Sequence, residues 1–392
     1  MSYGEGTTQN SSVSEPYPEP QPHHLSRMPR LLLHIGHPKT GTTALQSVLS
    51  ANAETLLKTT SVLYPTQTEP AEFKHAFVIP WLFQADNESI RRRSKASGDE
   101  LKEISKQYWH SLAAEVQQTH HNLSILSAEG FWSIVRRAPQ GQSAFFRGKL
   151  YEIADHVKVI AYLKSPAPYF LSKINQKLRN FRAVTLPRPN YLSGAIHDWE
   201  SIGFDDYSWR IFDRTLLINQ DIVDDFCTHY LPDSVSTTAL AREGVEQANS
   251  SVSNEALVIL EELTATHPVL LEDVYDQRRY KIIEILKQSD GSIGGKSRPS
   301  LKESAAAGIV KRCSDLGWLQ ERGLSFPDID PAWLHQTQAT DLPETFTCVS
   351  DFCPIDSDRL AELRGVAGEA IEALFRPKPK RFFWHFPRFS KR

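Results

Sequence analysis

Cysteine is scarce: four residues in a chain of 392 exclude a disulfide-built scaffold. Cys348 and Cys353 lie close together, but no second cysteine pair completes a zinc pattern. Long hydrophobic runs are missing too. The longest, Ala76 to Phe83, contains Pro80 and falls far short of the ~20 residues that a membrane-spanning helix needs. Neither sign of charge dominates: 44 Lys and Arg against 47 Asp and Glu leave −3. That balance argues against a dedicated nucleic-acid binder. There is no H-E-x-x-H, no G-x-S-x-G and no dinucleotide G-x-G-x-x-G. Residues 1–28 hold no hydrophobic stretch that could serve as a signal peptide, and their Pro- and Ser-rich composition reads as a disordered leader. With so few cysteines, the expected compartment is the cytoplasm.

What is present can fold. Hydrophobic residues make up 40% and aromatics 10%, enough to fill a core. At ~150 residues per domain the length allows one large domain or two modest ones. Charge is segregated at one end. From Arg376 to Arg392 there are seven bases and no acids, which leaves the remainder at −10. Phe382, Phe383, Trp384, Phe386 and Phe389 are interleaved with those bases. Such a tail suits peripheral contact with an anionic membrane at the inner surface, or packing on the acidic body; Pro387 interrupts any long amphipathic helix.

Between the ends, short apolar runs alternate with helical periodicity. Arg30–Ile35, Leu123–Ser127, Val157–Leu163 and Tyr207–Phe212 read as strands. Helices are expected over Thr42–Leu57, after Pro166, over Ile222–Tyr230, and at about Asn254–Thr264 and Asp273–Gln288. This order predicts an α/β fold: a three-layer domain with a central parallel sheet and helical elaborations. The expected organisation is the leader, an α/β domain over 29–340 with a helical C-terminal half, and an extension over 341–392 that ends in the basic-aromatic tail.

The loop after the first strand is the most informative segment: His34-Ile-Gly-His-Pro-Lys-Thr-Gly-Thr-Thr43. Gly36 and Gly41 allow backbone N–H groups to converge on an anion. The helix starting near Thr42 adds its positive end, Lys39 a full charge, and Thr40, Thr42 and Thr43 hydroxyl donors. The loop has the glycine spacing of a Walker A motif, but Thr42 stands where that motif has lysine. A nucleoside triphosphate kinase is therefore disfavoured.

The string Pro38-Lys39-Thr40-Gly41-Thr42-Thr43 resembles the 5′-phosphosulfate loop of sulfotransferases that use 3′-phosphoadenosine-5′-phosphosulfate (PAPS), and the longer run to Gln46 looks like the bacterial branch of that family. The resemblance implies a P-loop-like sulfotransferase fold and a second motif for the donor's 3′-phosphate. There Lys164 ends a later strand and Ser172 follows eight residues on, with Gln176 also matching the bacterial pattern. Lysine replaces the family's arginine at 164, giving a point charge rather than a bidentate fork. Leu126-Ser-Ala-Glu129 resembles a Ser-x-Glu segment of the family, which makes Glu129 the expected base for the acceptor proton, with His75 in reserve. The resemblance covers about residues 29–330. It implies PAPS as donor, 3′,5′-bisphosphoadenosine as product, no metal, and by analogy a carbohydrate or glycolipid acceptor.

Three other readings stay open. Asp328-Ile-Asp330 and Asp356-Ser-Asp358 could each be the metal clip of a nucleotide-sugar glycosyltransferase. A P-loop kinase and a catalytically silent PAPS-binding protein are the others.

Overall fold

The computed structural model describes residues 28–66, 75–85, 90–91, 94–242, 251–272, 276–294, 298–330 and 343–376. The expected leader, except Met28, and the tail from residue 377 lie outside the described residues.

Five strands form one all-parallel sheet: β1 (Arg30–His34), β2 (Val62–Leu63), β3 (Leu123–Ser127), β4 (His156–Leu163) and β5 (Asp206–Ile211). Their order is β2-β3-β1-β4-β5, with Leu33 opposite both Leu126 and Val159. Around them run α1 (Thr42–Ala51), α2 (Ala53–Thr60), α3 (Gly98–Gln118), α4 (Gln142–Tyr151), α5 (Pro166–Arg179), α6 (Tyr191–Glu200) and α7 (Ile222–Tyr230). Then come α8 (Asn254–Thr266), α9 (Gln277–Ser292), α10 (Glu303–Arg312) and α11 (Ser357–Ala373).

Successive strand residues point to opposite faces, and both faces are covered. Leu32, Ile125, Ile160 and Tyr162 pack with Leu45, Val48 and Leu49 of α1 and with Val223 and Phe226 of α7. Leu31, Leu33, Val159 and Ala161 pack on the other side with Trp109 of α3, Phe146 of α4 and Phe170 of α5. This double cover is why β1, β3 and most of β4 read as apolar runs, whereas β5, half-buried at the sheet edge, carries Asp206, Ser208 and Arg210. Asp225, fully buried on α7, accepts from the Arg210 guanidinium at 2.9 and 3.0 Å and from the Tyr162 hydroxyl at 2.8 Å, which fixes α7 to β4 and β5. Among the described residues no helix is long and apolar enough to cross a membrane.

Several expectations need correction. The helix expected over Thr42–Leu57 breaks at Asn52, whose amide exchanges hydrogen bonds with the Ala241 backbone at 2.9 and 3.0 Å. The apolar run Ala76–Phe83, given no element from the sequence, lies in a 3₁₀ turn, His75–Val78, that leads into one helical turn with Pro80 near its start. Asp356, weighed as a metal clip, caps α11 instead: its carboxylate accepts from the N–H groups of Asp358 and Arg359. Residues assigned to the extension also enter the main core, since Val349, Phe352, Leu363, Ala367 and Ile371 join the α3–α5 cluster.

Candidate functional site

The site begins where β1 ends. β1 sits between β3 and β4, and its connection turns to the α1 face while α4 and α5, the next long helices after β3 and β4, pack on the opposite face. A crevice opens at such a divergence, outside the carboxyl ends of the strands. The loop from Ile35 to Gly41 fills its rim. Ile35 N–H donates to Ile160 O at 2.9 Å and Ala128 N–H to His34 O at 3.1 Å, so the loop leaves a fixed platform.

Inside the loop, Thr40 Oγ1 donates to His37 O at 2.7 Å. The His37 ring is boxed by Trp132, Tyr169 and Tyr191 at centroid distances of 4.8, 4.9 and 5.4 Å, and its Nε2 is hydrogen-bonded to the Tyr191 hydroxyl. Burial, then the Lys164 charge, pushes the His37 pKa down to about 3, so the ring is a neutral anchor. Lys39 holds φ +68, in the left-handed region that side chains usually avoid. Such strain concentrates where a loop must present groups to a ligand. Gly36, at φ +27, could not carry a side chain: a Cβ would lie 2.7 Å from Thr42 Oγ1 and 3.0 Å from Glu129 Cα.

A cavity of about 490 Å³ opens beside this loop. Lys39, Gly41, Thr42, Thr43, Glu129, Lys164, Ser172 and Gln176 all line it, so most of the site residues expected from sequence meet there. Lys164 Nζ donates to Ser172 Oγ at 3.0 Å, and Ser172 Oγ donates onward to Pro168 O at 2.9 Å. Burial, then repulsion from Lys39, lowers the Lys164 pKa to about 8, with Asp328 opposing. Burial is also the first cause of the lowered Lys39 pKa, with Glu129 opposing and Arg179 reinforcing. Cations desolvated side by side raise the local potential toward an anion. At the start of α1 no side chain caps the helix and its first turn has no acid. Thr42 Oγ1 is buried with no hydrogen-bond partner among the described residues. These features fit a phosphate.

Three expected residues lie outside the lining. Pro38 has no N–H to give, and the Thr40 hydroxyl is spent within the loop. His75 is a correction. It is fully buried, its Nδ1 accepts from Ser127 N–H at 2.9 Å and its Nε2 bonds Pro65 O at 2.9 Å. Burial pulls its pKa down to about 4. Both nitrogens are engaged within the core, so His75 is not placed to take a substrate proton.

Arg179, Asn175 and Ser251 also line the cavity, although no motif marks them in the sequence. Arg179 follows Ser172 and Gln176 by seven and three residues on α5, so continuing that helix face would have found it. Ser251 opens the described segment that leads into α8. Asp328 also approaches, by its charge interaction with Lys164. Among the described residues no group of three His, Cys, Asp or Glu could hold a metal.

No protein-family model, curated protein or solved structure matches the chain.

Proposed function

We propose that the protein is a sulfotransferase of P-loop-like fold that moves a sulfonate group from PAPS to a hydroxyl or amine acceptor. One observation carries the reading: Lys39, Gly41, Thr42 and Thr43 of the loop and the Lys164–Ser172 pair, distant in sequence, line a single cavity with Glu129. A donor with phosphates at both the 5′ and 3′ positions needs two such anion sites on one wall.

The residues divide the work. The loop N–H groups, the start of α1 and Thr42 Oγ1 hold the 5′-phosphate end; Lys164 and Ser172 hold the 3′-phosphate. In the transfer, the bond between sulfur and the bridging oxygen breaks and a bond from sulfur to the acceptor oxygen or nitrogen forms. The bridging oxygen leaves with the electron pair on the 5′-phosphate, and Lys39 stabilises the charge that builds there. Glu129 receives the acceptor proton.

The test is turnover with PAPS and a panel of hydroxyl and amine acceptors, read as release of 3′,5′-bisphosphoadenosine. Lys39→Ala should lower turnover at least ~100-fold, the usual cost of removing one transition-state charge contact. The far-ultraviolet spectrum should stay unchanged, because Lys39 packs no core. A folded Lys39→Ala protein with full activity would overturn the reading.

A further inference from the structure

A second, larger cavity of about 700 Å³ shares Lys39, Gln176 and Arg179 with the first and is otherwise walled by Asn180 and α9. Tyr280, Ile283, Glu284, Lys287 and Gln288 supply that wall, at spacings that place them on one helix face. Counting Lys39, Arg179, Arg279 and Lys287 against Glu284, the lining carries four cations and one acid, in a chain whose net charge is −3. Arg279 is buried; its guanidinium donates to Asn180 O and lies 5.5 Å from the Phe181 ring centroid, so its charge is fixed in place. Lys287 has its pKa lowered by burial and then by Arg179, the sign that the two cations share one field. Tyr280 is 73% exposed, leaving a flat ring against the cavity. Ile283 is the one aliphatic side chain in the lining, too little to hold a lipid tail.

We propose that this second cavity receives the acceptor and that the acceptor is an acidic oligosaccharide, a sugar chain bearing carboxylate or sulfate groups. The assignment as acceptor rests on the sulfotransferase reading above; the charge preference rests on the cavity itself. Arg279 and Lys287 meet the anionic groups, and Tyr280 offers its ring to a sugar face. Lys39, common to both cavities, stands where the sulfonate passes from one to the other.

Calorimetric titration of the full chain tests it, with two hexasaccharide probes: one of alternating uronic acid and hexosamine, and its carboxyl-reduced neutral counterpart. The wild type should prefer the acidic probe by ~10-fold or more, as one or two charge-assisted contacts provide. Lys287→Glu should abolish the preference, Glu284→Gln should increase it, and Tyr280→Ala should weaken both probes alike. The affinity for 3′,5′-bisphosphoadenosine should stay unchanged in Tyr280→Ala, the variant that alters no charge. Equal affinity for the two probes, or a preference that survives Lys287→Glu, overturns the acidic acceptor. Loss of bisphosphate binding in Tyr280→Ala would place the donor in this cavity and overturn the acceptor assignment. If the wild type binds no bisphosphate at all, the sulfotransferase reading fails and the acceptor role with it, while the hexasaccharide pair still decides the charge preference.

Discussion

Lys164 and Ser172 stand eight residues apart, one past the end of β4 and one in the second turn of α5, and their side chains meet at 3.0 Å. That contact was legible as a spacing. The consequence of lysine at this position was not, because it depends on burial: the ammonium is held down at about 8, by desolvation first and by Lys39 second. A 3′-phosphate binds the protonated form. Affinity for the bisphosphate should therefore fall as pH rises through about 8, and Lys164→Arg, which keeps its charge, should flatten that fall. Titrations at successive pH values on either side of that point check the slope. In steady state, Lys164→Ala should raise the donor KM by ~10-fold with a smaller change in kcat, since a contact remote from the breaking bond acts equally in ground and transition states. Glu129→Gln should do the reverse. An unchanged donor KM in Lys164→Ala would reduce the 3′-phosphate pair to coincidence. His75 illustrates what residue type alone leaves out. A histidine before an apolar run could be a base, but only long-range contacts show both of its nitrogens engaged.

At the scale of elements, β1, β3 and β4 were legible because a doubly covered strand is largely apolar, and half-buried β5 was legible in the alternation of Tyr207, Trp209 and Ile211. β2 was not, since Val62 and Leu63 make too short a run to signal anything. The β1–α1 loop was legible as glycine spacing plus a following helix; the box of Trp132, Tyr169 and Tyr191 around His37 was not, because its members come from three separate segments. α11 also escaped notice, its few apolar positions spread among charges, although Asp356 is a plain N-cap once the helix is known. The loop's geometry makes its own prediction. Gly36→Ala brings a Cβ against Thr42 Oγ1 and against the Glu129 backbone, at a φ that disfavours any side chain. Stability should drop by about 1–3 kcal/mol, read from the urea midpoint, and bisphosphate binding should vanish, because Thr42 and Glu129 are both displaced. Wild-type binding in that variant would mean the loop does not need its present shape.

Across the whole molecule, His34, His37 and His75 are buried with pKa values pushed down to about 4, 3 and 4, burial being the first cause in each. Unfolded, each titrates near 6.5. The unfolded state therefore binds more protons below that value, and stability present at neutral pH is lost as pH falls from 6.5 toward 4. Each histidine contributes a slope of roughly 1 kcal/mol per pH unit. Urea midpoints at pH 7 and pH 5 should differ clearly, and a flat profile would show that these rings are hydrated. The histidines sit at or beside the ends of β1 and β3, so the same acid range should empty the donor site. A crystal structure of the full chain with 3′,5′-bisphosphoadenosine tests the proposed donor site directly. Density is expected with the 5′-phosphate against residues 39–43 and the 3′-phosphate on Lys164 and Ser172. Density elsewhere, or no binding alongside metal-dependent binding of ATP, would overturn the sulfotransferase assignment.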